Sequence, residues 1–311
     1  MAWINPWFPD VKRLFSTGGL LAALLPALVL LVVALGGGQP ARQAESIGKV
    51  PVRVAVIGRM TLSGMWQALG ERFTRETGWP VETVVSGPKD LLSAALRRGE
   101  VDLLTMHSSD QATNLVAEGY GLNLRPWARN AHMILGPMAD PAGIRGGHDG
   151  AIALRQIART RSPFVDFSGP GSRDVVHGLW KKAGIDNPRG DWLLKDESLT
   201  PQGILAYAAA HQAYVVVGQI PVVRGKMANP GGLEIMVQGD PAMRRPYVVL
   251  EANPARLPQT NAAGARALAS WMLSGKGRAF LADFAGQQRA GFPLFYAPDD
   301  NGAPTRASAD K

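Results

Sequence analysis

The chain has 311 residues, is 46% hydrophobic and 19% charged, and contains no cysteine, a composition that excludes wholesale disorder, disulfide scaffolds, thiolate metal sites and cysteine nucleophiles. Its 33 Lys and Arg outnumber 25 Asp and Glu, which gives a formal net charge of +8. That balance fits nucleic acid, an anionic lipid surface, a small anion or simply a solvated basic surface, and we expect no metal site and no cofactor.

Residues 1–48 are predicted to form an export segment followed by a linker. An apolar run over residues 20–35 follows Lys12 and Arg13 and precedes a polar stretch. The basic flank predicts that the N-terminus stays in the cytoplasm and that the rest of the chain is exported. Two outcomes remain open: a cleaved signal peptide, or a membrane anchor over residues 17–37. Both make nucleic acid an unexpected partner.

Strands and helices alternate from Val52 onward. The hydrophobic patterns predict strands over residues 52–57, 81–85 and 101–106, helices that begin at residues 65, 89 and 110, and a loop over residues 58–64. Gly78 is expected to end the first of these helices. The order of strand, loop and helix favours a parallel sheet with right-handed crossovers.

The second half repeats this alternation. Strands are predicted over residues 131–135, 164–167, 214–217, 233–237 and 247–252, and helices over residues 151–159, 173–183, 201–211, 262–274 and 277–284. Four tryptophans on apolar stripes are expected in the core rather than at a ligand: Trp127, Trp180, Trp192 and Trp271. Residues 296–311 are predicted to be a polar tail.

Several motifs carry a resemblance to a known family. They are the run Gly99–Leu104 that leads to His107 and Ser108, the run Val116–Gly121, and the pairs or turns Gly136-Pro137, Asp140–Ile144, Gly239–Pro241 and Asn253-Pro254. The chain resembles the periplasmic solute-binding proteins of the tungstate-type branch, which supply oxyanion importers. The resemblance covers residues 52–286.

The resemblance implies an α/β, two-lobe periplasmic binding protein-like fold of type II, preceded here by the N-terminal hydrophobic export helix. Lobe one is expected to hold residues 50–127 and 248–295, and lobe two residues 128–247. Two strand-like crossings near residues 128–135 and 246–252 join the lobes. The protein is then expected in the periplasm, either soluble or anchored to the inner membrane.

The loops that would hold the ligand depart from the family's pattern. The first loop keeps Ser63 but has Arg59 and other residues without hydroxyl groups where the family has a Thr/Ser run. The second loop keeps His107 and Ser108. The third loop lacks the family's Arg, and Arg173 stands where a His is usual. A compact dianion loses donors by these changes, so we expect tungstate and molybdate to bind weakly or not at all.

These loops supply the predicted ligand-binding residues, which are Arg59, Met60, Thr61, Ser63, His107, Ser108, Ser168, Gly169, Gly171, Ser172 and Arg173. Each has a structural alternative: Arg59 as an exposed charge, His107 as a packed histidine, and the glycine-rich segment as an ordinary turn. If a solute binds, we expect an anion, with Arg59 and Arg173 approaching it from opposite lobes.

The favoured function is capture of a small anion between the lobes for an ABC-type importer, with a permease in the inner membrane as partner. The alternative is a membrane-tethered sensory or interaction protein whose ligand site is altered or lost; a cleft filled by Met60, Phe167 and Ile220 would favour it. An enzyme is not expected. Ser63, His107 and Asp166 can be drawn as a hydrolase triad, but the chain has no Gly-x-Ser-x-Gly elbow.

Overall fold

The computed structural model describes residues 49–166, 172–195, 198–227, 229–284 and 293–300, all within one compact unit, residues 47–311. The predicted export helix and linker lie outside the described residues, as does most of the predicted tail. Among the residues that are described, no helix is long and apolar enough to cross a membrane.

The strands occupy most of the positions that the sequence predicts. They are β1 (Val52–Ile57), β2 (Val81–Gly87), β3 (Leu103–His107), β4 (Gly121–Pro137), β5 (Phe164–Val165), β6 (Leu193–Leu194), β7 (Tyr214–Gly218), β8 (Leu233–Val237), β9 (Arg244–Ala252) and β10 (Phe295–Tyr296). The short strands β6 and β10 were not predicted from the sequence. Each has two residues, too few to show a periodic pattern.

The helices cover the faces of the strands. They are α1 (Gly58–Leu62), α2 (Met65–Thr77), α3 (Lys89–Arg97), α4 (Asp110–Ala117), α5 (Gly150–Thr160), α6 (Arg173–Lys182), α7 (Ile204–Ala210), α8 (Gln219–Val223), α9 (Ala262–Leu273) and α10 (Gly275–Asp283). Gly78 ends α2 with a left-handed φ of 72°, as predicted, a conformation that costs glycine little.

The segment 58–64, predicted to be a loop, instead contains the helix α1. A five-residue helix has little stability of its own, because nucleation is costly. Burial of Met60, which has no exposed surface, holds this turn against the core. The prediction was wrong because one buried residue in a short segment gives no periodic signal.

The strands form a mixed sheet in the order β2-β1-β3-β9-β4-β7-β5-β6, with β8 and β10 also paired to β4. The expected parallel pairing is confirmed for β1 with β2 and β3, and for β5 with β6 and β7. The two long strands β9 and β4 run antiparallel to their neighbours. The expectation of a parallel sheet is therefore correct only for the outer parts of the order.

β4 connects the two parts of the sheet. Its first section, from Gly121 to Ala131, pairs with β9, and its second section, from His132 to Pro137, pairs with β7 and β8. The sheet is thus continuous through one strand of 17 residues. The strands β4 and β9 coincide with the two crossings that the sequence predicted, while the division into lobes stays a prediction.

Hydrophobic clusters lie in both of the parts of the sheet that β4 connects. One cluster packs β1, β3 and β9 against α2, α3, α9 and α10. Two more lie on opposite faces of β7: Tyr214 and Val216 pack with α5 and α6, while Val215 and Val217 pack with α7. Alternate residues of a strand point to opposite faces, so β7 is buried on both. The four tryptophans predicted in the core are buried, as expected.

Candidate functional site

A cleft with a volume of about 950 Å³ lies where several strands and helices end. The last residues of β1, β2 and β3 line it, together with the first turns of α1, α3, α4 and α6 and the beginning of β9. Sheets of this type bind ligands at the carboxyl ends of their parallel strands. The cleft therefore stands at the edge where a ligand site is expected.

Four cations line the cleft: Arg59, Lys89, Arg173 and Arg245. Lys89 and Arg173 are the first residues of α3 and α6. A positive charge at a helix N-terminus opposes the helix dipole and is unfavourable by a few tenths of a kcal/mol or more. An anion in the cleft would interact favourably both with these cations and with the positive N-terminal ends of the helix dipoles.

Arg59 is half-buried, and burial lowers the pKa of its guanidinium group. Within the described ranges, this side chain forms no ion pair and no hydrogen bond. A partly desolvated cation without a carboxylate partner is costly, since its lost hydration is not replaced. Arg59 is therefore the cation in the cleft most in need of an added negative charge.

Arg245 has a carboxylate partner. Its Nη2 lies 3.4 Å from Oδ2 of Asp174, and 11% of its side chain is exposed. Burial lowers the pKa of Arg245, while Asp174 acts against that shift. Burial, followed by the charge of Arg245, also lowers the pKa of Lys89. The two cations thus disfavour each other's charged forms, an effect that a shared anion would remove.

Carboxylates balance part of this charge. Asp90, Asp110 and Asp174 line the cleft beside the four cations, each in the first turn of its helix. Gln111 donates a hydrogen bond from its amide to Asp90. The lining therefore carries a small excess of positive charge, with Arg59 separate from the paired groups.

His107 contributes polarity without charge. Its Nε2 donates to Oδ1 of Asn130 at 3.0 Å, and its ring stacks on that of Tyr247. Burial, followed by the charge of Arg245, lowers the pKa of His107 well below its ordinary value. The imidazole is consequently neutral at pH 7.

Three of the predicted ligand residues, Arg59, His107 and Arg173, line the cleft together. Ser172 directly precedes α6, where its carbonyl accepts from Val176 N at 2.8 Å, but it does not line the cleft. Ser168, Gly169 and Gly171 lie outside the described residues.

The remaining predicted residues lie away from the cleft lining. Met60 is fully buried in the core. Ser63 is also buried, and its Oγ donates to the Met60 carbonyl at 2.8 Å. Thr61 donates to the Gly58 carbonyl at 2.8 Å, and Ser108 is exposed at the end of β3. Segment 58–64 was predicted to be a loop, whereas the helical turn of α1 directs these side chains away from the cleft.

Two cleft cations were missed by the sequence analysis. Lys89 follows the end of β2, so the strand-end argument that selected Arg59 applies to it equally. Arg245 is the second residue of β9, which lies between β3 and β4 in the sheet and is antiparallel to both. No local pattern in the sequence places that residue beside α6.

The sequence and the fold of this chain resemble those of solute-binding proteins. A family model described as bacterial extracellular solute-binding protein matches residues 53–284. The tungstate-binding protein TupA of Peptoclostridium acidaminophilum is 28% identical over 295 residues, which cover 92% of this chain and 98% of that protein. A relative from Haloferax volcanii, assigned as an ABC transporter anion-binding protein, is 27% identical over 75% of this chain and 68% of its own.

A solved structure shares the fold. The tungstate-binding protein TupA from Desulfovibrio alaskensis superimposes with a TM-score of 0.67 at 25% identity, over 80% of this chain and 99% of that one. The predicted α/β binding-protein architecture is thereby confirmed for the described part of the chain.

Proposed function

Because the chain belongs to the family of bacterial extracellular solute-binding proteins, we propose that it captures a small anion in the 950 Å³ cleft and delivers it to an ABC-type importer. Relatives named as tungstate-binding and anion-binding proteins support the class of ligand. A permease in the inner membrane is the partner that this function requires.

The observation that carries the proposal is the state of Arg59. Its guanidinium group is half-buried at the end of β1 and has no carboxylate partner among the described residues. A bound anion would supply the missing charge through hydrogen bonds worth roughly 1.5–3 kcal/mol each. An unpaired arginine in water costs little free energy, because water solvates its charge. The half-buried position of Arg59 is therefore what makes a bound anion favourable.

The two predicted lobes fit this mode of binding. Arg59 and Lys89 belong to lobe one (50–127 and 248–295), whereas Arg173 and Arg245 belong to lobe two (128–247). An anion bound between them would attract cations from both lobes at once. We propose that its binding favours a closed arrangement in the periplasm.

The alternative of a lost ligand site has less support. It requires the apolar side chains of Met60, Phe167 and Ile220 to fill the cleft. Met60 and Ile220 are fully buried in the core cluster and do not line the cleft, and Phe167 lies outside the described residues. A hydrolase triad is also unsupported, because the hydroxyl of Ser63 donates to the Met60 carbonyl rather than to His107. The relatives are named as a tungstate-binding protein and an ABC transporter anion-binding protein.

A thermal-shift screen of the purified chain tests the proposal. The panel contains inorganic oxyanions, carboxylates and phosphorylated solutes, with the matching cations as chloride salts for control. An anion present at 100 times its Kd should stabilise the fold by about 2.7 kcal/mol. If no anion in the panel raises the unfolding temperature at millimolar concentration, the proposed function is wrong.

A further inference from the structure

A second cavity meets the cleft over one face of α1. It has a volume of about 620 Å³ and lies between α1, the turn at Pro201 and Gln202, and the region of α8. Gly58, Arg59 and Leu62 line both cavities. Residues three and four positions apart lie on the same side of a helix, so the two cavities are neighbours across this face.

The chemistry of the second cavity differs from that of the cleft. Its lining includes the apolar side chains of Leu62, Pro201, Pro221 and Met227, and among described residues it includes no carboxylate. Of the described residues in this lining, Lys226 is the one cation apart from the shared Arg59. The cleft, by contrast, is lined by four cations and three carboxylates. Charge is therefore concentrated in the cleft, whereas most of the residues that line the second cavity are uncharged.

A hydrogen bond joins the two walls of the second cavity. Nη2 of Arg224, just after α8, donates to the carbonyl of Ser63, just after α1, at 2.7 Å. The two residues are 161 positions apart in the chain. Ile220 of α8 is also fully buried in the same core cluster as Met60 of α1. The second cavity thus lies between elements held together by packing and by a hydrogen bond.

The two cavities together offer more space than a bare tetrahedral oxyanion fills. Pockets of roughly 300–1,000 Å³ are typical of drug-sized organic ligands, and the cleft alone is near the upper end of that range. A ligand that fills both cavities must carry its negative charge at one end and an uncharged body at the other.

We propose that the ligand is an organic oxyacid anion, namely a phosphonate, sulfonate or carboxylate that carries an uncharged body. The acidic head binds beside Arg59 in the cleft, and the body extends over Gly58 and Leu62 into the second cavity, where it contacts Met227. This inference rests on the proposed function and specifies the class of solute that the same site takes.

Titration calorimetry on the purified full-length chain provides the test. The probes are inorganic phosphate and the methyl, butyl and hexyl phosphonates, which share one type of head and differ in the length of the body. Affinity should rise about threefold to fourfold per methylene group until the second cavity is filled. Sulfonates and carboxylates with the same chains identify the preferred head.

A pair of methionine variants locates the body of the ligand. Met227→Ala should weaken binding of hexylphosphonate about threefold to tenfold and leave methylphosphonate unchanged, since Met227 lines only the second cavity. Met138→Ala is the matched control, because Met138 is 63% exposed and lines neither cavity. It should leave both affinities unchanged. Thermal unfolding of each variant verifies that it is folded.

The outcomes separate this inference from the proposed function. If inorganic phosphate or tungstate binds, and the longer phosphonates bind with equal or lower affinity, the inference is overturned and the proposed function stands. If affinity rises with length but Met227→Ala has no more effect than Met138→Ala, the placement of the body is wrong. If no anion of any kind binds, both proposals fail.

Discussion

His107 stacks on Tyr247 with ring centroids 4.1 Å apart and an interplanar angle of 29°. The two residues are register partners across β3 and β9, and both are buried. Arg245, which lies near the start of the same strand β9, lowers the pKa of His107 in addition to the larger effect of burial. The stack therefore places a neutral imidazole between the cations of the cleft and the core.

The depressed pKa of His107 predicts a loss of stability in acid. The unfolded chain has an ordinary histidine pKa near 6.5, so below about pH 6.5 it binds a proton that the folded chain does not. The free energy of unfolding should then fall as the pH is lowered, by at most about 1.4 kcal/mol per pH unit from this group, until the pH reaches the folded pKa. Protonation of His107 is also opposed by the charges of Arg245, His132 and Arg59.

Denaturant unfolding of wild type and His107→Gln at several pH values measures this effect. The variant should show a shallower dependence on pH below 6.5, because glutamine retains a donor for Asn130 but does not titrate. His177→Gln is the control, since His177 is exposed on α6. Equal slopes for the wild type and His107→Gln would contradict the prediction.

Replacement of Arg59 by alanine should weaken anion binding about tenfold to a hundredfold. The estimate follows from the loss of one charge-assisted hydrogen bond worth roughly 1.5–3 kcal/mol. Calorimetry with the anion identified by the thermal-shift screen measures it. Arg159→Ala, at an exposed position near the end of α5, provides a control for net charge. An affinity loss of similar size in both variants would show that only the overall charge matters.

Tungstate and molybdate are expected to bind weakly or not at all, although relatives are named for tungstate binding. Of the three hydroxyl residues predicted in the first two loops, the Thr61 and Ser63 hydroxyls donate to backbone carbonyls within α1, and Ser108 lies outside the cleft lining. A compact dianion would thus lack these hydroxyl donors. Submicromolar affinity for tungstate in a calorimetric titration would contradict this expectation.

Replacement of Asp102 by alanine should destabilise the fold by about 3–5 kcal/mol. The carboxylate is fully buried and accepts from Arg53 Nη2 at 2.6 Å, from Arg53 N at 2.8 Å and from Asn261 N at 2.9 Å. Its loss would leave a half-buried arginine without its carboxylate partner and two backbone donors without this acceptor. Glu100→Ala is the matched control, because Glu100 pairs with Arg98 at the exposed surface and should matter far less. Chemical denaturation compares the two variants; equal losses would refute the argument.

Local patterns predicted most elements and part of the site. The six-residue alternation of Val52–Ile57 and the helical spacing that Gly78 ends are both present as expected. Arg59 could be assigned to a cleft because it follows the end of a strand, and His107 and Arg173 because the family resemblance places their loops there. The helix α1, the position of Arg245 and the first section of β4 could not be predicted. The last contains register shifts near Leu122 and Pro126 that interrupt its periodicity.

The sequence by itself determined the class of fold and the basic character of the chain, because hydrophobic period and composition are properties of neighbouring residues. Only the tertiary structure decided which cations share a site. Arg245 reaches the cleft through antiparallel pairing of β9 with β3, and Arg224 reaches Ser63 across 161 residues. Such contacts depend on the packing of distant segments. An arginine that this packing buries needs a partner for its charge, whereas an arginine that remains in water does not.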